Sequence, residues 1–151
     1  MRATVIRHAG IVVSDMARAL AFYRDLLGLE VVRTMHESGE YLDSLLGLSQ
    51  ARVTTVKLSA GSGVTLLELL EFQVPVASPS GSAGPATLGP THVALTVDDL
   101  DAVYAALTAQ GVRFNAPPRL SPDGRVKVTF CHDPDGTLLE LVQELSDNPP
   151  R

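Results

Sequence analysis

The sequence contains no tryptophan, a single cysteine (Cys131) and no long apolar run. One cysteine excludes an intramolecular disulfide and a CxxC redox or zinc motif, which suits a reducing compartment. No segment approaches the roughly 20 apolar residues of a membrane helix, and the apolar stretch that follows Arg7 is too short for a signal peptide. We therefore expect a cytoplasmic protein without a membrane partner.

Positive charge is also scarce. The chain carries 12 lysine and arginine residues against 17 acidic residues, for a net charge of −5, and no basic cluster that could follow a phosphate backbone. Nucleic acid is therefore not an expected partner. With 151 residues, of which 45% are hydrophobic, the chain can bury a core that needs no structural metal. Any bound metal would serve function.

The chain repeats itself. Residues 8–15 (HAGIVVSD) align with residues 92–99 (HVALTVDD) at an offset of 84, and residues 65–69 and 137–141 are both TLLEL. After residues 8–15, apolar residues recur at helical spacing until Gly28 ends the run, and after residues 92–99 they do so until Gly111. Ser14 or Asp15, and Asp98 or Asp99, stand where N-caps belong.

The repeat predicts an α+β fold in which residues 1–151 form one domain of two βαβββ modules. Module one spans residues 4–71, the linker 72–90 and module two 91–144. The linker contains the Pro-, Gly- and Ser-rich stretch Pro75–Pro90, which suits an extended connector. Residues 36–51 have no counterpart in module two and can form a short helix. The expected strands are 4–13, 29–35, 52–58, 64–71, 91–97, 112–115, 125–131 and 137–143, and the expected helices are 16–27 and 100–110.

Four residues recur where a core is expected to be apolar. Glu68 and Glu140 alternate with leucines in equivalent strands, and a buried carboxylate without a cation or donors is costly. His8 and His92 open the first strand of each module. Two carboxylates and two imidazoles form a mixed donor set for a divalent ion such as Ni, Co, Zn, Fe or Mn. The sequence therefore predicts a metal site made of His8, Glu68, His92 and Glu140.

Other polar residues receive structural interpretations. Glu71 points away from Glu68 in an alternating strand, so we expect it to be solvated. His36 and His132 are expected to be exposed and not to ligate, and Cys131 to be a small buried hydrophobe. Asp133 belongs to a turn. Substrate phosphate or carboxylate groups have six candidate partners: Arg33, Arg52, Lys57, Arg113, Arg119 and Arg125.

Three segments together resemble the vicinal oxygen chelate superfamily: HAGIVVSDMARALAFYRDLLGLEVV, HVALTVDDLDAVYAALTAQGVRF and DPDGTLLELV. The superfamily groups glyoxalase I, methylmalonyl-CoA epimerase, bleomycin and fosfomycin resistance proteins, and extradiol dioxygenases. The resemblance covers residues 4–144. It implies two βαβββ modules that form a metal-binding cleft, with the ligands at His8, Glu68, His92 and Glu140. It also implies a small-molecule substrate and a homodimer.

The four-ligand set is closest to glyoxalase I and methylmalonyl-CoA epimerase. This resemblance implies a lyase or an isomerase that acts through a metal-stabilised enolate, with Glu140, or else Glu68, as the catalytic base. The segment 51–60 lacks the acidic residue that such epimerases place there, and the chain lacks the tryptophan typical of glyoxalase I. Two alternatives stay open: an antibiotic-binding resistance protein without turnover, and a dioxygenase.

Overall fold

The computed structural model describes residues 3–61, 63–78, 89–90 and 92–145. The chain divides into two compact units, Met1–Gly81 and Ser82–Arg151. The linker predicted at residues 72–90 begins inside a strand that runs to Val74, and its residues 79–88 lie outside the described part. Among the described residues, no helix has the length and apolar character needed to cross a membrane.

The first unit is a four-stranded sheet with helices in its connections. The sheet order is β1-β4-β3-β2, with β1 parallel to β4 and the other pairs antiparallel. The parallel pair requires a crossover, and the predicted helix lies in it. The elements are β1 (His8–Val12), α1 (Met16–Leu20), β2 (Glu30–Ser38), α2 (Glu40–Leu46), β3 (Arg52–Ser59) and β4 (Leu66–Val74).

The second unit repeats this topology. Its sheet order is β5-β8-β7-β6, again with one parallel pair, β5 with β8. The two units therefore confirm the duplication predicted from the sequence. The elements are β5 (Val93–Thr96), α3 (Leu100–Ala109), β6 (Arg119–Leu120), β7 (Val126–His132) and β8 (Leu138–Glu144).

Equivalent aspartates begin the two crossover helices. Asp15 accepts a hydrogen bond from the backbone N–H of Arg18 at 2.9 Å, and Asp99 accepts one from Ala102 at 3.0 Å. Each carboxylate satisfies a backbone donor that has no partner within the first turn. The structure thus selects Asp15 over Ser14 and Asp99 over Asp98 as the N-caps.

A second polar contact ties each helix to its sheet. The first backbone N–H of α1, at Met16, donates to Glu71 at 3.2 Å, and that of α3, at Leu100, donates to Gln143 at 3.0 Å. Glu71 and Gln143 occupy equivalent positions of β4 and β8. Glu71 is half-buried and engaged, so the expectation that it is only solvated was wrong. The repeat preserves a hydrogen-bond acceptor there, not a charge.

The helix predicted over residues 16–27 changes its winding. After α1 the chain continues as a π-helix over Ala21–Leu26, with the Leu27 N–H bonded to the Phe22 carbonyl at 3.0 Å. Adjacent residues Phe22 and Tyr23 are both buried, with their rings edge to face. Leu26, expected in the apolar stripe, is 42% exposed.

The strand predicted at residues 112–115 is not formed. Of that segment only Phe114 makes a bridge, to Cys131, and the edge of the second sheet is instead the two-residue strand β6. The short helix expected in the insert is present as α2, but none of its residues is buried. The second strand of the module is therefore where the two units differ most.

One face of each sheet carries buried apolar residues of the central strands. Leu58, Leu67 and Leu69 are buried in the first unit, and Cys131 and Leu139 in the second. Leu58 and Cys131 are equivalent in the repeat and have no exposed surface. The opposite face carries Glu68 in the first sheet and Glu140 in the second.

Candidate functional site

In the first unit, the structure places His8 next to Glu68. Gly10 lies opposite Glu68 in the parallel pair, so His8 projects two residues earlier from the same face of β1. The His8 Nε2 atom lies 3.2 Å from Glu68 Oε2, and the glutamate side chain is 13% exposed.

The second unit contains the equivalent pair. His92 Nε2 lies 3.1 Å from Glu140 Oε2, and the glutamate side chain is 23% exposed. Ala94 stands opposite Glu140 where Gly10 stands opposite Glu68. The His92 ring also packs edge to face on Phe130, with ring centroids 5.3 Å apart. In both repeats, a histidine Nε2 atom therefore lies next to a glutamate Oε2 atom.

Lys57 is a feature of the first pair alone. It lies directly opposite Glu68 in the β3–β4 register, and its Nζ atom is 3.2 Å from Glu68 Oε1. Glu68 therefore has a different partner on each oxygen, the lysine on Oε1 and the histidine on Oε2. In the second unit the equivalent residue is Phe130, opposite Glu140.

The sequence places Lys57 only among six basic candidates for substrate contacts. What singles it out is the strand register, which depends on how the β3–β4 connection closes and cannot be read from a list of basic residues. The repeat itself carried a usable signal, because Lys57 aligns with an apolar residue in module two.

The donor atoms of each pair fit one side of a metal site. Metal–nitrogen and metal–oxygen bonds of about 2.0–2.2 Å place adjacent ligand atoms roughly 3 Å apart, and both pairs have this separation. Within the described residues, no group of three or more His, Cys, Asp or Glu side chains is arranged to hold a metal. Each unit by itself therefore supplies two candidate ligands, and the four-ligand set remains a prediction.

The histidines outside these pairs have other partners. His36 is exposed, and its Nδ1 atom lies 3.1 Å from the Thr54 hydroxyl. His132 is half-buried, not exposed as expected, with Nε2 at 2.8 Å from the Asn115 amide oxygen and Nδ1 at 3.2 Å from the Gly136 carbonyl. Neither lies with a glutamate, as His8 and His92 do.

Asp133 and Cys131 take the structural roles predicted for them. Asp133 is 5% exposed, and its Oδ1 accepts hydrogen bonds from the backbone of Asp135 and Thr137 at 2.9 and 2.7 Å. It shapes the turn that leads into β8. Burial raises the pKa of the Cys131 thiol to about 11, and the nearby Asp133 carboxylate adds to this. A thiol held protonated in this way is a poor nucleophile.

Comparison with known proteins decides the family. The family model of the Glyoxalase/Bleomycin resistance protein/Dioxygenase superfamily matches residues 5–141. The chain belongs to this superfamily. Its two βαβββ units are the fold of the vicinal oxygen chelate proteins, as the sequence predicted.

Relatives within the superfamily cover nearly the whole chain. A lactoylglutathione lyase from Haemophilus influenzae is 28% identical over 144 residues, which cover 93% of each protein. A 2-epi-5-epi-valiolone epimerase from Actinomyces sp is 28% identical over 149 residues, covering 93% of this chain and 79% of the epimerase. A glyoxalase family protein from Bacillus cereus superposes with a TM-score of 0.84 at 23% identity, covering 96% and 98% of the two chains. Lyases and epimerases are thus both among the relatives of this superfamily member.

Proposed function

We propose that this protein is a divalent-metal-dependent lyase or isomerase that acts on a small substrate with an enolisable carbon beside a carbonyl or thioester. One observation carries the proposal. A histidine and a glutamate converge at equivalent positions of both repeats, with nitrogen–oxygen distances of 3.2 and 3.1 Å. Independent surface residues have no reason to recur with the module. Similarity to a lyase and to an epimerase supports the same chemistry.

The proposed ligands are His8, Glu68, His92 and Glu140. Neutral imidazoles and carboxylates suit Ni, Co, Zn, Fe or Mn, and two carboxylates balance the charge of a divalent ion. Such an ion would supply Lewis-acid chemistry, which lowers the cost of an enolate by several kcal/mol. Pairing of the two units, within one chain or between two chains of a homodimer, stays a prediction.

The two glutamates would have different roles in the reaction. Glu68 is held on both oxygens, by His8 and Lys57, so it is suited to a fixed position. Glu140 meets His92 through Oε2, and within residues 92–145 no lysine or arginine lies within 4.0 Å of its carboxylate. We therefore assign proton removal from the carbon to Glu140, with Glu68 as the second candidate. A carboxylate within hydrogen-bond reach of the proton is the requirement for general base catalysis.

Metal binding provides the direct test. Protein stripped with a chelator and reconstituted separately with Ni, Co, Zn and Mn should retain about one ion per chain after dialysis, measured by elemental analysis. The variant His92→Ala removes one proposed ligand and should weaken metal affinity at least about tenfold, because one coordinate bond contributes more than about 1.4 kcal/mol. His132→Ala is the matched control, because it removes an imidazole of the same unit and should change affinity little. Absence of stoichiometric metal, or equal losses in the two variants, would overturn the proposal.

A further inference from the structure

A row of charged residues crosses the first sheet beside the His8–Glu68 pair. In the β2–β3 register Arg33 lies directly opposite Lys57, and in the β3–β4 register Lys57 lies directly opposite Glu68. Residues directly opposite each other in antiparallel strands project from the same face, with their Cα atoms about 4.5–5.5 Å apart. Arg33, Lys57 and Glu68 therefore share one face of this sheet.

The charges in this row do not balance. Lys57 is engaged with Glu68, and its side chain is 19% exposed. Arg33 is exposed and, within the part of the chain that the structure describes, makes no hydrogen bond or ion pair. Like charges directly opposite each other on a sheet are destabilising. Within this row one carboxylate faces two cations, so the row has an excess of positive charge next to Glu68. Glu37 lies on the same face and accepts a hydrogen bond from the Thr55 hydroxyl instead.

Residues 92–145 of the second unit show no such arrangement. The residue equivalent to Lys57 is Phe130, opposite Glu140, and the strand beyond it, β6, places Arg119 opposite Val128 and not opposite a lysine. The row of charges is therefore not a general requirement of the repeated fold. The row is present in one copy of the module and not in the described part of the other. Such asymmetry is expected where one module contacts a particular end of a ligand.

We propose that Arg33 and Lys57 form an oxyanion-binding subsite beside Glu68, which takes a carboxylate or phosphate group of the substrate. A guanidinium forks onto two oxygens, and an ammonium adds a point charge, so the two together suit a planar carboxylate or a phosphate. The subsite deepens the proposed function by naming the class of substrate, an anionic one. It rests on that function only in assigning the anion to the substrate.

The subsite can be tested on metal-free protein. Inorganic phosphate and, separately, malonate are titrated into isotope-labelled protein at constant ionic strength, with binding followed through backbone amide NMR shifts. We expect saturable binding with the largest shifts on β2 and β3 around Arg33 and Lys57. Arg33→Gln and Lys57→Met should each weaken it at least about tenfold, as loss of a charge-assisted contact does. Preference for malonate would assign a carboxylate, and preference for phosphate a phosphoryl group.

Two controls make the result decisive. Arg24→Gln removes an exposed helical arginine that pairs with Asp25, so it lowers the net charge equally and should change affinity less than about twofold. Arg33→Lys keeps the charge but loses the forked contact, so it should bind the anion more weakly than wild type and more tightly than Arg33→Gln. Equal weakening by Arg24→Gln, or no saturable binding of either anion, would overturn the subsite. If the protein binds an anion at this subsite but binds no stoichiometric metal in the reconstitution experiment, the proposed function is refuted and the subsite stands.

Discussion

Lys57 and Phe130 occupy equivalent positions of the two repeats, each directly opposite the glutamate of its unit. The lysine binds Glu68 through an ion pair, whereas the phenylalanine packs against the histidine that contacts Glu140. The duplicated strands thus keep the carboxylate and change its neighbour. Two glutamates with the same origin consequently have different surroundings, which allows them to perform different tasks.

The cap of α3 gives a prediction with a built-in control. Asp99→Ala should lower the free energy of unfolding by about 1 kcal/mol, because the Ala102 N–H loses its acceptor. Asp98→Ala removes the same side chain from the adjacent exposed position and should stay within about 0.5 kcal/mol of the wild type. Urea unfolding followed by circular dichroism measures both. Equal destabilisation would show that the cap has been assigned to the wrong aspartate.

The contact between Glu71 and α1 predicts a difference between removing a charge and removing an acceptor. Glu71→Gln should be tolerated, because Gln143 performs the same task in the second unit with an amide oxygen. Glu71→Ala should cost about 1–2 kcal/mol, since the half-buried Met16 N–H loses its partner. Thermal and urea unfolding of the two variants provide the comparison. A glutamine variant as unstable as the alanine variant would mean that the negative charge itself is needed.

The sequence predicted the parts of this fold that are repeated and locally encoded. Two copies of a cap, a helical stripe and a TLLEL strand identified the crossover helices and the position of Glu68 and Glu140 on one face. The π-helical turn was missed because it buries the adjacent residues Phe22 and Tyr23 through a local change of winding, which a 3.6-residue period does not encode. Strand β6 was missed because two residues give no period, and its pairing is set by tertiary contacts.

The site shows the same division. His8 and His92 could be paired with their glutamates through alternation and the repeat, since both are local patterns. The contact of Lys57 with Glu68 and the position of Arg33 depend on register between strands, and a bulge between Val31 and Arg33 shifts that register by one residue. No single-strand pattern encodes such a shift.

Burial of Cys131 predicts an unreactive thiol. In native protein at pH 8, labelling with a thiol-specific disulfide reagent should be on the order of 10³-fold slower than in denaturant, because it requires opening of the core. A matched control is Ser49→Cys in a Cys131→Ala background, which places one cysteine at an exposed position. That variant should react at the rate of a free thiol. Fast labelling of native wild-type protein would contradict the burial of Cys131 in the core.

The same thiol has a defined effect on stability at high pH. Its pKa is raised to about 11 in the folded protein, against about 8.5 in an unfolded chain. As pH rises, the unfolded state releases this proton first, so the contribution to stability is complete below about pH 8.5 and is lost towards pH 11. The difference in unfolding free energy between wild type and Cys131→Ala should therefore shrink between pH 8 and pH 10. A difference independent of pH would show that the thiol pKa is not raised.

The assignment of Glu140 as the base predicts a loss of proton exchange that is separable from metal loss. Metal-reconstituted protein in heavy water, given a panel of 2-oxo acids, 2-hydroxy acids and acyl thioesters, should exchange the hydrogen beside the carbonyl of the compound that fits. Glu140→Gln keeps the size and one ligating oxygen but cannot accept the proton. Exchange, followed by proton NMR, should therefore fall at least about 100-fold, the usual contribution of a positioned base.

Glu71→Gln is the control for this experiment, because the Glu71 carboxylate bonds to the start of α1 and not to a histidine of the site. It should leave exchange near the wild-type rate. Undiminished exchange in Glu140→Gln would move the base elsewhere, with Glu68 next to be tested by the same substitution. No exchange in any enolisable compound that binds, together with tight binding of an antibiotic, would reject the enzymatic proposal in favour of a binding protein. The decisive result is a Glu140→Gln variant that has lost exchange but still contains the metal by elemental analysis. Ligation and catalysis would then be separated in one variant, and the loss of exchange would be explained by the loss of proton transfer to Glu140.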